Sequence, residues 1–477
     1  MTNEPTGNIK KGMEVELKIE SLAFGGRGVA RVNGFVVFID DVLPGQRVLI
    51  RVTRKRKGYA EARLLQILEP SPEEVAAKCR HFGECGGCRF QHLDYRAQLK
   101  YKREQVLESL ERIGGFVNPT VLDPIPSPDI FYYRNKMEYS FGRRRWLSRE
   151  EIDADQIIKP RDFALGLHVR GRYDRILDLD ECFLQSSASV EMLSLVKETA
   201  RGSGIQPYST EDHTGYWRHL VIREGKNTGE TLINIVTADE PRNLRLVDDL
   251  ARMLKQQFPQ ITTIVHNINR RKAEVAIGQE ERVLHGPGTI TERIGARRYR
   301  ISANSFFQTN TKCAEILYQK VAEFADFKGD ELVYDLYAGA GTISLYIADS
   351  VRQVVGFELV PDAVKDAEAN CELNGIDNCS FVLCDLKDAG GLQHSQNGEE
   401  PDAIIIDPPR AGMHHDVVNQ VIAINPQKIV YVSCNPTTFA RDAQALSSAG
   451  YSLQDIQPVD MFPMTVHIEL VSLFRKV

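Results

Sequence analysis

Cys434 stands in Val432-Ser433-Cys434-Asn435-Pro436, directly after the apolar run Ile429-Val430-Tyr431. Such a run reads as a buried parallel strand. Ligands of open α/β sheets lie at the carboxyl ends of these strands, so this thiol is a candidate nucleophile. A cysteine left buried and unused is an inert core residue, and Cys434 becomes more than that only in company. Glu469 offers that company. In Val466-His467-Ile468-Glu469-Leu470-Val471 it alternates with apolar residues, as on a C-terminal strand, and can act as a base.

A thiol and a carboxylate suit methyl transfer to carbon. Carbon 5 of uracil is a poor nucleophile. Thiolate addition at carbon 6 turns carbon 5 into an enolate carbon that can take a methyl group. A base then removes the carbon-5 proton and the thiolate is expelled. An alternative chemistry is written in Asp407-Pro408-Pro409-Arg410-Ala411-Gly412, at the end of the run Ile404-Ile405-Ile406. Amino-methyltransferases place an aromatic residue after Asp/Asn-Pro-Pro, to stack on the base whose nitrogen they modify. Arg410 fills that place here, which disfavours methylation at nitrogen.

A cofactor loop precedes both. Val333-Tyr334-Asp335-Leu336-Tyr337-Ala338-Gly339-Ala340-Gly341 runs from a strand into a glycine turn. The glycines let the backbone approach a ligand closely. Glu358 ends the next strand, about twenty residues on, where a carboxylate can accept ribose hydroxyls. A dinucleotide loop would carry a third glycine where Ser344 stands, and Asp335 would oppose a pyrophosphate. A sulfonium suits that carboxylate better, so the pattern favours S-adenosylmethionine over NAD. Asp385 follows Phe381-Val382-Leu383, a third strand end, within reach of an adenine edge.

A second group of cysteines has ligand spacing: Cys79-x5-Cys85-x2-Cys88, with Gly86-Gly87 allowing a tight wrap. Three thiolates so placed suit an iron–sulfur cluster or zinc, and Cys182 is the best fourth ligand. Cys313, Cys371, Cys379 and Cys384 show no such spacing. Nine cysteines in a chain whose first residues, Met1 to Lys11, contain no secretory apolar run point to reduced thiols.

These groups need elements to hold them. At 477 residues, two to four domains are expected. From Met13 to Leu68, short alternating strands and Gly-rich turns predict a small barrel. Leu93 to Gly114 reads as one amphipathic helix stopped at Gly114-Gly115. Strand-like runs follow to about 300, interrupted by a charged loop insertion at 148–159. Strands then alternate with helices, the mark of an α/β domain. The expected division is 1–68, 69–295 and 296–477: an OB-like β-barrel, a central α+β domain and a C-terminal Rossmann-like domain. No run approaches a membrane span. The net charge of -6 argues against wholesale coating of nucleic acid, but basic residues crowd Arg47 to Lys57 and Arg134 to Arg149. Phe131-Tyr132-Tyr133-Arg134-Asn135-Lys136 interleaves aromatic and basic residues, a pattern that suits base stacking and phosphate contact.

The motifs in sequence order resemble one family. They are Asn304-Ser305-Phe306-Phe307-Gln308-Thr309-Asn310, the Asp335 loop, Asp407-Pro-Pro-Arg-Ala-Gly, Ser433-Cys434-Asn435-Pro436, Ala440-Arg441-Asp442 and Asp460 to Glu469. The chain is similar throughout to RNA 5-methyluridine methyltransferases, in particular the ribosomal-RNA branch, and its first residues look like a TRAM domain. The resemblance implies Cys434 as nucleophile and Glu469 as base. It implies Gln308, Tyr337, Glu358, Asp385 and Asp407 around S-adenosylmethionine. It further implies a four-iron cluster on Cys79, Cys85, Cys88 and Cys182, and a helix after the cluster that packs on the catalytic domain. A cytoplasmic monomer acting on an unpaired or flipped uridine of RNA, ribosomal RNA first, is the corresponding expectation.

Overall fold

The computed structural model describes residues 9–154, 157, 160–388, 392 and 399–477. The polar start of the chain, 1–8, lies outside them. The first sheet holds β1 (Glu14–Lys18), β2 (Ser21–Ala23), β3 (Arg27–Val32), β4 (Phe35–Ile39), β5 (Arg47–Lys55) and β6 (Tyr59–Glu69). Its order is β1-β5-β6-β4-β3-β2. Alternation puts Val15, Leu17, Val48, Ile50 and Val52 in one core, each burial stabilising by roughly 1.5–3 kcal/mol. The outward residues are charged, and much of the first basic cluster is paired: Arg51 meets Glu14 at 2.5 Å and Arg47 meets Glu69 at 3.0 Å. Gly26, at φ +83°, lets the β2–β3 turn close on the far end of the chain. A Cβ there would lie 2.5 Å from Val466 Cγ1.

Helix α1 (Tyr95–Ser109) starts at Asp94, whose carboxylate accepts the Arg96 and Ala97 N–H groups. It runs on through one wide turn, Leu110–Gly114, and stops at Gly115 in the left-handed region. The central sheet contains β7 (Lys136–Gly142), the short α2 (Arg149–Asp153), β8 (Ala164–Val169), β9 (Arg172–Asp178), α3 (Ser187–Gly202), β10 (Trp217–Glu224), β11 (Thr231–Thr237), α4 (Leu244–Gln257), β12 (Ile261–Ile268) and β13 (Glu280–His285). Its order is β13-β12-β11-β10-β7-β8-β9. Val196, Val247, Leu250 and Leu254 of the two long helices bury the face made by Leu220, Ile222, Ile233 and Ile235. Helix α2 opens the stretch expected as a loop insertion, because buried Glu151 takes both terminal nitrogens of Arg145 at 2.6 Å. The rest of that insertion, at 155, 156, 158 and 159, lies outside the described residues.

The hairpin β14 (Thr289–Ile294) and β15 (Arg297–Ser302) straddles position 295/296 and packs with the C-terminal core. Then come α5 (Thr311–Ala325), β16 (Leu332–Leu336), α6 (Thr342–Ile347), β17 (Gln353–Glu358), α7 (Pro361–Asn374), β18 (Cys379–Leu383), β19 (Ala403–Ile406), α8 (His415–Ile424), β20 (Lys428–Ser433), α9 (Pro436–Ser448), β21 (Tyr451–Val459) and β22 (Glu469–Lys476). The sheet order is β18-β17-β16-β19-β20-β22-β21, with β16 to β20 parallel and β22 antiparallel to both neighbours. This is the expected α/β architecture. Val106 and Leu110, at the end of α1, pack with Tyr431, Phe439 and Leu446 of this body, and Val121 and Ile125 form bridges to β21. Among the described residues no helix is long and apolar enough to cross a membrane.

Candidate active site

Parallel strands end on one edge, and a cleft of about 1740 Å³ lies there. After β16 the chain turns through Tyr337, at φ +65°, and through Gly341, at φ +74°. A Cβ on Gly341 would stand 2.7 Å from the Phe381 ring, so the turn into α6 requires glycine. Gly339 N–H donates to Glu358 Oε2 at 2.9 Å, and the other carboxylate oxygen accepts the Leu359 and Val360 N–H groups at 2.8 Å. Asp385 anchors its own turn by accepting the Lys387 N–H. Gln308 and Tyr337 line the same cleft.

Asp335 is 1% exposed. Its Oδ2 accepts the Ser344 hydroxyl at 2.5 Å, and its Oδ1 is buried without a partner. Burial, then the Asp407 and Glu358 charges, push this carboxyl up to about 7. Burial pushes Asp407 up to about 6. Two acidic groups held above their usual range, one with an orphaned oxygen, make a cleft short of positive charge. A sulfonium-bearing cofactor meets that need, and the glycine turn leaves room for it.

Cys434 sits at the elbow between β20 and α9. Asn435 caps the helix by accepting the Thr437 N–H at 3.0 Å, and Pro436 fits its first turn. In the β20–β22 ladder Ser433 pairs with Leu470. Cys434 and Glu469 are the residues next to that pair, and the Glu469 charge acts on the Cys434 thiol. Glu469 is 6% exposed, and burial followed by the Asp407 charge holds its carboxyl well above the usual range. Burial, then Glu469 and Asp407, push the Cys434 thiol up to about 11, while the Arg410 guanidinium opposes them. Arg410 donates to His467 Nδ1 at 2.9 Å. That ring is held neutral, down to about 4, by burial and by Arg410, Lys102 and Arg134. Nothing local in the sequence pairs Arg410 with His467, which are 57 positions apart. Asp442 shapes the Arg410 loop, accepting the Met413 N–H at 2.9 Å and the Tyr431 hydroxyl at 2.7 Å.

The second set of thiols lies beside the cleft, which Gly87 of their loop lines. Cys79, Cys85 and Cys88 are pushed up to about 11, 12 and 12, first by burial, and each also feels the charge of Cys182. Cys182 is raised by burial as well, against N–H bonds from Leu184 and Gln185. The Gly87 N–H reaches Cys85 Sγ at 3.4 Å. Such a set of facing sulfurs with N–H donors fits a thiolate-bound metal. Among the described residues, the one group of three candidate ligands with donor atoms within 4.8 Å is His414, His415 and Asp416, on the exposed start of α8. No three of the four sulfurs come that close.

Gln308, Tyr337, Glu358, Asp385 and Asp407 thus share a single cleft with Cys434 and Glu469, whose wall includes Gly87 of the cysteine loop. The aromatic run 131–136 is divided between a cation–π contact and the cleft. Phe131, Tyr132 and Phe183 enclose the Lys78 ammonium at 5.0, 5.2 and 4.4 Å, and only Arg134 of that run lines the cleft. A cation–π cage holds the rings that the sequence offered for stacking.

The model of the tRNA (uracil-5-)-methyltransferase family matches residues 245–477, and that of the TRAM domain matches 9–65. An uncharacterized RNA methyltransferase of Chlorobaculum tepidum is 42% identical, over 98% of this chain and 97% of its own. One from Halalkalibacterium halodurans is 39% identical over 98% of each. Among solved structures, the tRNA (uracil-54, C5)-methyltransferase of Pyrococcus abyssi, in complex with S-adenosyl-L-homocysteine, matches with a TM-score of 0.74. It is 30% identical, and the match covers 96% of this chain and all of that one. With its cation-seeking cleft, its glycine turn and its N-terminal barrel, the chain belongs to the tRNA (uracil-5-)-methyltransferase family of S-adenosylmethionine-dependent RNA methyltransferases.

Proposed function

We propose that the protein methylates carbon 5 of a uridine in 23S ribosomal RNA through a covalent adduct on Cys434. The single observation that supports the covalent reading is that the Ser433–Leu470 pairing brings Cys434 and Glu469, the next residue on each side, close enough for the Glu469 charge to act on the thiol. Bound S-adenosylmethionine supplies an electrophilic methyl group. Asp335 faces its positive charge, Glu358 and Asp385 hold ribose and adenine, and Gln308, Tyr337 and Asp407 complete the enclosure. The Cys434 sulfur, once deprotonated, bonds to carbon 6, and the ring electrons move to the carbon-4 carbonyl oxygen. After carbon 5 has gained its methyl group, Glu469 takes the carbon-5 proton, the carbon–sulfur bond breaks and the thiolate leaves. Glu469→Gln should therefore retain a protein–RNA adduct; normal turnover would assign the base elsewhere.

The four thiols Cys79, Cys85, Cys88 and Cys182 are proposed to hold a four-iron cluster. Tetrahedral zinc, with bonds of about 2.3 Å, would draw the sulfurs within roughly 4 Å of one another. Iron with acid-labile sulfide in the purified protein is the test, and bound zinc in its place would overturn the cluster. The barrel at 1–68 and the domain at 69–295 serve RNA, and 296–477 carries the chemistry. The protein acts as a monomer in the cytoplasm, where its RNA is. A transfer-RNA target is the second reading, favoured by the likeness to the P. abyssi enzyme. Mapping 5-methyluridine in ribosomal and transfer RNA, with and without the gene, separates the two.

A further inference from the structure

The segment 460–468 leads from β21 into Glu469, and the pairing of Val459 with Glu469 closes it into a loop. Every part of the molecule grips it. Lys102 of α1 donates to Asp460 Oδ1 at 2.6 Å and to the Phe462 carbonyl at 3.1 Å. Gln98, one turn earlier, accepts the Met464 N–H at 3.0 Å. The Arg89 and Phe90 N–H groups, just past the cysteine loop, donate to the Met464 carbonyl at 2.8 and 3.0 Å. Tyr133 of the central domain donates to the Pro463 carbonyl, and the barrel turn at Gly26 rests on Val466. Met464 itself is at φ +64°, which the surrounding bonds hold in place.

The Lys102 and Asp460 side chains are 3% and 0% exposed, and neither is among the residues that line the cleft. A buried ion pair is weak evidence of net stability, since desolvating both charges offsets their attraction; specifying one conformation is the better-attested use. A conformation here needs specifying. Glu469 is the first residue of its strand, desolvated and faced by Asp407. Left to itself, such a carboxyl turns away from the like charge and toward water.

We propose that Lys102 and Gln98 are positioning residues which, by clamping the loop 460–464, hold Glu469 toward the reacting uridine. The proposal rests on Glu469 as the base. It assigns the clamp to proton removal and leaves thiol addition and methyl transfer untouched.

The two steps can be read apart with in vitro transcripts of 23S ribosomal RNA and of transfer RNA, each made with uridine or with 5-fluorouridine. Fluorine at carbon 5 cannot leave as a proton, so 5-fluorouridine traps the adduct whatever the base does. Lys102→Met in the full chain should lower kcat on uridine RNA about 100-fold and KM with it, leaving kcat/KM unchanged because the earlier steps are untouched, and should accumulate adduct. Its rate of trapping by 5-fluorouridine RNA should stay within about twofold of the unaltered protein, since addition and methylation need no proton removal from carbon 5. Unaltered turnover, or loss of trapping together with turnover, overturns the proposal. If Lys102→Met does not fold, Gln98→Leu decides, because it leaves no buried charge unpaired. The same pattern is expected at about tenfold, a fraction of a full base contribution. Glu469→Gln on the same transcripts keeps the readings distinct. Its normal turnover would remove the base itself, whereas its adduct without one in the clamp variants would remove only the clamp.

Discussion

Cys434 and the four thiols around Cys88 begin from the same physics. Burial raises all of them, to about 11 at Cys434 and Cys79 and about 12 at Cys85 and Cys88. What faces them differs. The four face one another, with Arg134 as the cation beside Cys88 and Cys182. On the proposed reading, they lose protons together to a metal that offsets the desolvation of all. Cys434 faces two carboxylates and one guanidinium. On the proposed reading, this thiol is activated when positive charge is brought beside it.

The largest effect should come from Cys434→Ala. Methyl transfer should fall on the order of 10⁴-fold or more, with iron content and cofactor binding intact. Retained turnover in a radiolabel assay would end the distinction between the two sets. Cys88→Ser should do the converse. Iron should drop to background and Tm should fall by about 2–4 °C for each kcal/mol lost, while alkylation of Cys434 by iodoacetamide keeps its rate. A changed rate would mean that the sets are coupled.

Asp335→Asn sharpens the comparison, because it removes one of the charges that make the cleft seek a cation. The preference for S-adenosylmethionine over S-adenosylhomocysteine, which differ in the charge on sulfur, should shrink about tenfold in calorimetry, or 1.4 kcal/mol. The smallest effect is on pH. The Asp335 carboxyl is raised from 3.8 to about 7, so its contribution to the ligand-free fold is full below pH 3.8 and lost as pH rises through about 7. The rise in Tm on adding S-adenosylmethionine should therefore grow from pH 5 to pH 8, and grow less with S-adenosylhomocysteine. A flat response in thermal-shift measurements would remove Asp335 from the cofactor site.

Much of this was legible because short parallel strands announce themselves as apolar runs that end in chemistry. Asp335, Glu358, Asp407 and Cys434 each follow such a run, and one sheet edge gathers them. The helix stop at Gly114-Gly115 was legible for a similar local reason, a residue free to turn left-handed. Lys102 and Asp460 were not legible, since 358 positions separate them and each alone reads as a surface charge. The hairpin across 295/296 was hidden too, because its strands look alike whichever core they join. The contact of Lys78 with Phe131 and Tyr132 was not legible, because the pattern of aromatic and basic residues says nothing about which cation reaches the rings, and Lys78 lies outside that run.

Helix α1 gives the molecule an order of birth. Its Val106 and Leu110 pack against Phe439 and Leu446, which lie more than three hundred residues later. At about 5–20 residues per second, the ribosome finishes α1 on the order of tens of seconds before α9 exists. The barrel and the central sheet have every residue they need within that interval. The catalytic body is begun before the central sheet and completed after it, and a chain released early carries a helix whose apolar face has nothing to cover it.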